Sequence, residues 1–140
     1  MKYVVLVSHG QFAVGLADSL RMLAGKRDDL IAVGLSDGKS ADEFSIIFEQ
    51  AIADIKQNDE IILLGDLIGG SPLTTAMNVI DKKGMTSQSV IIGGMNLPLA
   101  LTTILMKDTL SIKDLPDQVL NEACSSLKEL KVVVEDEEEI

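Results

Sequence analysis

The chain contains a single histidine, His9, in the segment LVSHG, where an apolar run gives way to a glycine. An imidazole in that place can act as nucleophile or base, or it can serve only as a hydrogen-bonded strand end. Two further segments carry residue types able to do chemistry with it: LLGDLIGGSP, which holds Asp66, Gly69, Gly70 and Ser71, and IIGGMNLP around residue 95. A carboxylate that accepts from one ring nitrogen fixes the tautomer and leaves the other nitrogen bare, a role Asp66 can fill for His9. Glycine amides and a serine hydroxyl at the start of a helix favour an anion, so Gly10, Gly69, Gly70 and Ser71 form a candidate phosphate-binding set. Each residue also has a plain structural use. Asp66 can cap a turn, the glycines can supply positive φ, and Ser71-Pro72 is ordinary helix-start chemistry.

Several chemistries are excluded by what is missing. One histidine and one cysteine, Cys124, cannot build a Cys/His metal site or an internal disulfide, and neither metal nor cofactor is expected. Cys124, spaced with Leu120, Ala123 and Leu127, reads as a buried small hydrophobe. A histidine phosphatase would want RHG and a second histidine, whereas Ser8 precedes His9 here. GGSPL has no glycine two residues beyond its serine, which argues against a serine hydrolase. SHGQFAVG supplies neither G-x-G-x-x-G nor a G-x-x-x-x-G-K-[ST] loop for a nucleotide. A receiver domain would need paired acids after the first strand, and there are none.

These residues must be held by regular elements, and the apolar pattern alternates between two periods. KYVVLV is a buried strand, followed by a helix with Ala13, Leu16, Ala17, Leu20, Leu23 and Ala24 on one face and Gly25 as its stop. LIAVGL (30–35) is a second strand. Ser40 and Glu43 then form a capping box, and Phe44, Ile47, Phe48, Ala51, Ile52 and Ile55 share a helical face. EIILLG (60–65) is the third strand; Ser71 reads as N-cap and Pro72 as first residue of a helix burying Leu73, Ala76, Met77 and Ile80. SVIIGG (89–94) is the fourth strand, Pro98 opens a helix, 114–130 supplies the last helix, and KVVVE (131–135) reads as a terminal strand. Nearly unbroken apolar strands alternating with helices imply an α/β fold: a three-layer, doubly wound parallel sheet. In strand order 2-1-3-4, His9 and Asp66 face one another where the order reverses, the place such sheets bind ligands.

With 140 residues, 46% of them apolar, the chain suits one domain over 1–135, with 136–140 as an acidic tail. Its net charge is −10, half of it from EDEEE near the end, which disfavours nucleic acid and suits a basic protein partner. No apolar run reaches the roughly 18 residues of a membrane span, and the N-terminal apolar stretch is too short for a signal peptide, so a cytoplasmic protein is expected.

Taken together, VLVSHG with a helix behind it, LLGDLIGGSP and IIGGMNLP resemble the enzyme IIA component of the mannose family of the bacterial phosphoenolpyruvate-dependent sugar phosphotransferase system. The resemblance covers nearly the whole chain in order and spacing. It implies that His9 takes phosphate from the histidine-containing phosphocarrier protein (HPr) and passes it to the IIB component, with the membrane IIC and IID components engaged only indirectly. It further implies that Asp66 orients the imidazole, that Ser71 and its neighbours contact the phosphate, and that the terminal strand crosses to a second copy in a homodimer. The phosphocarrier subunit of dihydroxyacetone kinases shares the early histidine, but GGSP and GGMNLP favour the sugar-transport branch. A regulatory domain of the same fold is the non-catalytic alternative.

Overall fold

The computed structural model describes residues 1–134; Glu135 of the expected terminal strand and the tail 136–140 lie outside the described residues. Four parallel strands, β1 (Lys2–His9), β2 (Leu30–Leu35), β3 (Glu60–Gly65) and β4 (Ser89–Ile92), form one sheet in the order β2-β1-β3-β4, as expected. Period-two alternation divides their side chains between two cores. Val4, Leu6, Ile62 and Leu64 pack under α1 (Phe12–Ala24), α4 (Leu97–Met106) and α5 (Leu115–Ser125). Val5, Val7, Ile61 and Leu63 pack on the other face under α2 (Ala41–Ala51) and α3 (Ser71–Lys82). The central strands are apolar on both faces because both are covered. Each such side chain contributes about 1.5–3 kcal/mol on burial.

Local signals set the ends of several elements. Ser40 and Glu43 make the expected reciprocal capping box, and Asn96 caps α4 by accepting from the Leu99 amide at 2.9 Å. Far from His9, the buried Lys107 ammonium donates to Asp29 at 2.8 Å, and Arg27 donates to the same carboxylate. Burial pushes the Asp29 carboxyl up, but bonds from Arg27 and Lys107 outweigh it and hold the group below the usual carboxylate range. This cluster ties the start of β2 to the end of α4.

Other expectations are corrected. The buried stripe of α5 is Leu115, Val119 and Ala123, so Cys124, one helical step past Ala123, is exposed, as is Leu127. That helix ends at Ser125 rather than 130, and α2 ends at Ala51, with Ile52 and Ile55 buried from the turn that follows. Val79 takes the inward position on α3, while Met77 is turned to its exposed edge; Ile47 and Leu23 likewise lie at the margins of their stripes. The fourth strand stops at Ile92, before the glycines. Residues 131–134 form no strand with the sheet of their own chain, and Val132, Val133 and Val134 are exposed.

Candidate functional site

His9 is the last residue of β1 and Asp66 immediately follows β3, and these strands are neighbours with Val7 opposite Gly65. The topology therefore brings together two residues 57 apart in sequence. The His9 Nδ1–H donates to Asp66 Oδ2 at 2.8 Å, and the His9 backbone N–H donates to the same oxygen at 2.9 Å. The Leu67 N–H donates to Asp66 Oδ1 at 2.9 Å. Burial pushes the Asp66 carboxyl up, but these bonds outweigh it and hold the group below the usual carboxylate range. The carboxylate is thus ionised at neutral pH and fixes the proton on Nδ1, leaving Nε2 with a free lone pair. The imidazole is 49% exposed and Asp66 only 14%, so the ring faces solvent while the carboxylate bonded to it is sheltered.

The glycines flank the ring from two sides. Gly10 turns the chain out of β1 at φ +55°, and its N–H donates to the Leu35 carbonyl at 2.7 Å. Gly69 lies at φ +83° in the loop after Asp66. Gly70 permits close approach, since a Cβ there would stand 2.9 Å from His9 Cε1. Gly70 is also the N-cap of α3, so Ser71 is the first helical residue and not the expected cap. Ser71 is exposed in the first turn of a helix whose N-cap, Gly70, lies beside the ring. Gly10, Gly69, Gly70 and Ser71 all fall within one or two residues of the His9–Asp66 pair or of Gly70 beside it.

Two positions were not singled out from sequence. Ser8 is fully buried, and its hydroxyl accepts from the Ala13 N–H at 2.7 Å, tying the end of β1 to the first turn of α1. A hydroxyl interrupting an apolar strand just before a helix was the available signal. Gly34, paired with Ser8 across β1 and β2, is the second, because a Cβ there would lie 2.1 Å from the Gly10 carbonyl oxygen. Both parties to that clash are backbone, so Gly34→Ala is expected to cost about 1–3 kcal/mol or more and to shift the turn that carries His9. Urea denaturation measures the loss; an unchanged midpoint would show that the turn yields freely.

A cavity of about 220 Å³ opens beside the ring, lined by His9, Gly10, Leu35, Ser36, Asp37, Gly38 and Lys39. The segment after β2 therefore belongs to the site, whereas Gly93 to Asn96 do not line this cavity. Met95 is buried in the core and Asn96 caps α4. Among the described residues no group of three His, Cys, Asp or Glu side chains could hold a metal ion. The arrangement suits an exposed imidazole of fixed tautomer attacking an electrophile whose negative charge rests against a helix N-terminus.

Comparison with known proteins identifies the family. The family model described as PTS system fructose IIA component matches residues 3–120. The chain is 30% identical over 112 residues to the PTS system fructose-specific EIIA component of Bacillus subtilis (strain 168), covering 80% of this chain and 75% of that one. It is also 30% identical over 115 residues to the PTS system sorbose-specific EIIA component of Klebsiella pneumoniae, covering 82% of each. Among solved structures, the mannose/sorbose specific IIA subunit from Enterococcus faecalis superposes with a TM-score of 0.82 at 21% identity, covering 97% of this chain and all of that one. The PTS IIA protein associated with the fucose utilization operon of Streptococcus pneumoniae gives 0.77 at 27% identity, covering 91% and 92%.

Proposed function

Since the chain belongs to the mannose-type enzyme IIA family and is thereby a phosphocarrier component of a sugar phosphotransferase system, we propose that His9 is the residue that carries the phosphoryl group. The observation that carries this reading is the 2.8 Å bond from Nδ1–H to Asp66, which leaves Nε2 as the free nucleophile. The Nε2 lone pair attacks the phosphorus of phosphorylated HPr; a new N–P bond forms as the bond to the HPr imidazole breaks and its electron pair returns to that ring. The Nδ1 proton of His9 stays on the ring, and the Asp66 carboxylate balances the positive charge that develops there. Gly69, Gly70, Ser71 and Gly10 receive the phosphoryl oxygens. Transfer to the IIB component repeats the step with His9 as the leaving group, and IIC and IID are reached only through IIB. No nucleotide or metal is required.

This carrier works in the cytoplasm; among the described residues no helix is long and apolar enough to cross a membrane. The two curated relatives match this chain at the same 30% identity yet carry different sugars in their names, which fits selectivity residing in other components. Incubation with phosphorylated HPr, followed by mass spectrometry under alkaline conditions, is expected to place one acid-labile phosphate on His9. Phosphate on Ser71 or Asp66 would overturn the assignment.

The active form in this reading is a homodimer. β4 is an edge strand with one side of its ladder unpaired, and the β-branched residues Val132, Val133 and Val134 lie exposed, 82–87% accessible, without a strand partner in their own chain. Pairing that segment with a second copy would cover both. Deleting 131–140 should convert a dimer to a monomer in light scattering; a full-length chain that stays monomeric at high micromolar concentration contradicts this.

A further inference from the structure

The GGMN segment after β4 stands out in the sequence, yet none of its residues lines the cavity beside His9. Its contact lies one loop away. Asp66 and Gly70 hold the imidazole from two sides, and both belong to the loop 66–70. Within that loop Leu67 and Ile68 are largely exposed, at 58% and 82%. The Ile68 side chain nevertheless rests on the end of β4. A Cβ on Gly93 would stand 2.1 Å from Ile68 Cγ1 and 2.9 Å from its Cδ1, so the isoleucine occupies the space that any other residue at 93 would fill. The start of the loop is tied to the same segment, since the Met95 N–H donates to the Gly65 carbonyl at 2.9 Å.

We propose that Gly93 is a positioning residue for the phosphoacceptor: lacking a side chain, it seats Ile68 against the end of β4 and so sets the loop that grips the His9 ring. The proposal rests on His9 being the phosphoacceptor, and it accounts for the glycine at 93, whereas Gly94 is favoured by its own φ of +75°. A loop so exposed has little packing of its own to define its height above the sheet. Backbone bonds from Met95 to the Gly65 carbonyl and from Asp66 to the Val7 carbonyl hold the start of the loop, and the Ile68 contact adds the restraint on its middle that Asp66 and Gly70 share. Because Ile68 is β-branched and the clash is with its proximal Cγ1, the side chain cannot yield to a new methyl without leaving its rotamer or lifting the loop.

The test uses the full chain and two variants. Gly93→Ala is expected to slow phosphoryl acceptance from phosphorylated HPr by about tenfold, because small misplacements of reacting groups are costly. In the unphosphorylated protein, ¹⁵N NMR of the His9 ring should move from a pure Nδ1–H tautomer towards a mixture as the Asp66 bond loosens. Ile68→Ala removes Cγ1 and Cδ1 and leaves the isoleucine Cβ position 3.4 Å from the added methyl, an acceptable contact. The double variant Gly93→Ala/Ile68→Ala should therefore recover the wild-type tautomer and more of the rate than Gly93→Ala alone. Unchanged ring shifts in Gly93→Ala, or a double variant no better than the single one, would overturn the proposal. Should wild type take its phosphate elsewhere than His9, the tautomer measurement still reads the positioning claim without any phosphodonor.

Discussion

His9→Gln is expected to abolish phosphoryl acceptance, lowering the rate from phosphorylated HPr by at least about 10³-fold, to background. Glutamine is of similar reach and can still donate to Asp66, but its amide nitrogen has no available lone pair with which to attack phosphorus. The fold should survive. The side chain is 49% exposed, and the backbone N–H of residue 9 still donates to Asp66, so stability should remain within about 1 kcal/mol of wild type. Rapid-quench labelling with a denaturation curve for each protein separates loss of the nucleophile from loss of the fold. A variant that is still labelled at a rate near wild type would move the phosphoacceptor elsewhere.

Asp66→Asn carries the second large effect, and its origin is the donor count around the carboxylate. Three N–H groups point at Asp66: Nδ1–H and the backbone N–H of His9 at one oxygen, and the Leu67 N–H at the other. An asparagine must turn its NH₂ towards one of these sets. Turned to His9, it faces two donors and drives the imidazole to the other tautomer, with the proton on the nitrogen that should attack. Turned to Leu67, it keeps the tautomer but sets donor against donor in the loop and removes the negative charge that stabilises the developing imidazolium. Either way acceptance from phosphorylated HPr should slow on the order of a hundredfold. A neutral neighbour no longer repels the phosphoryl group through the ring, so the phosphorylated variant should resist hydrolysis at least as long as wild type. Stopped-flow rates equal to wild type would reduce Asp66 to a turn residue.

The same carboxylate gives a pH signature. Its folded pKa is depressed, so the stability it contributes is fully present above the ordinary carboxylate value near 3.9 and is lost as pH falls through the lower folded value. The stability difference between wild type and Asp66→Asn should accordingly be constant above about pH 5 and shrink below about pH 4. Chemical denaturation across that range checks it; a gap that widens in acid would give the opposite sign.

What was legible in the sequence was whatever is local in chain or in period. The four strands, the Ser40–Glu43 capping box and the α/β class follow from two- and 3.6-residue repeats and short-range caps, which any window of the chain displays. Crossover rules imply a parallel sheet but not which strands are neighbours; the order 2-1-3-4, on which the meeting of His9 and Asp66 depends, was an expectation that the sheet itself bears out. Helical stripes were less secure. Apolar residues at Met77, Cys124 and Leu127 satisfy the repeat as well as Val79 and Ala123 do, and only the position of the sheet decides which side of a helix is inward. The N-cap of α3 moved from Ser71 to Gly70 for a related reason: one residue of register is beyond local propensity, yet it takes Ser71 out of the capping position. Space was the least legible quantity of all. Gly34, Gly70 and Gly93 look alike in the chain, and what distinguishes them is which foreign atom, the Gly10 carbonyl, the His9 ring or the Ile68 side chain, occupies the volume where a Cβ would stand. That is a property of packing between segments distant in sequence, which chain order alone does not contain.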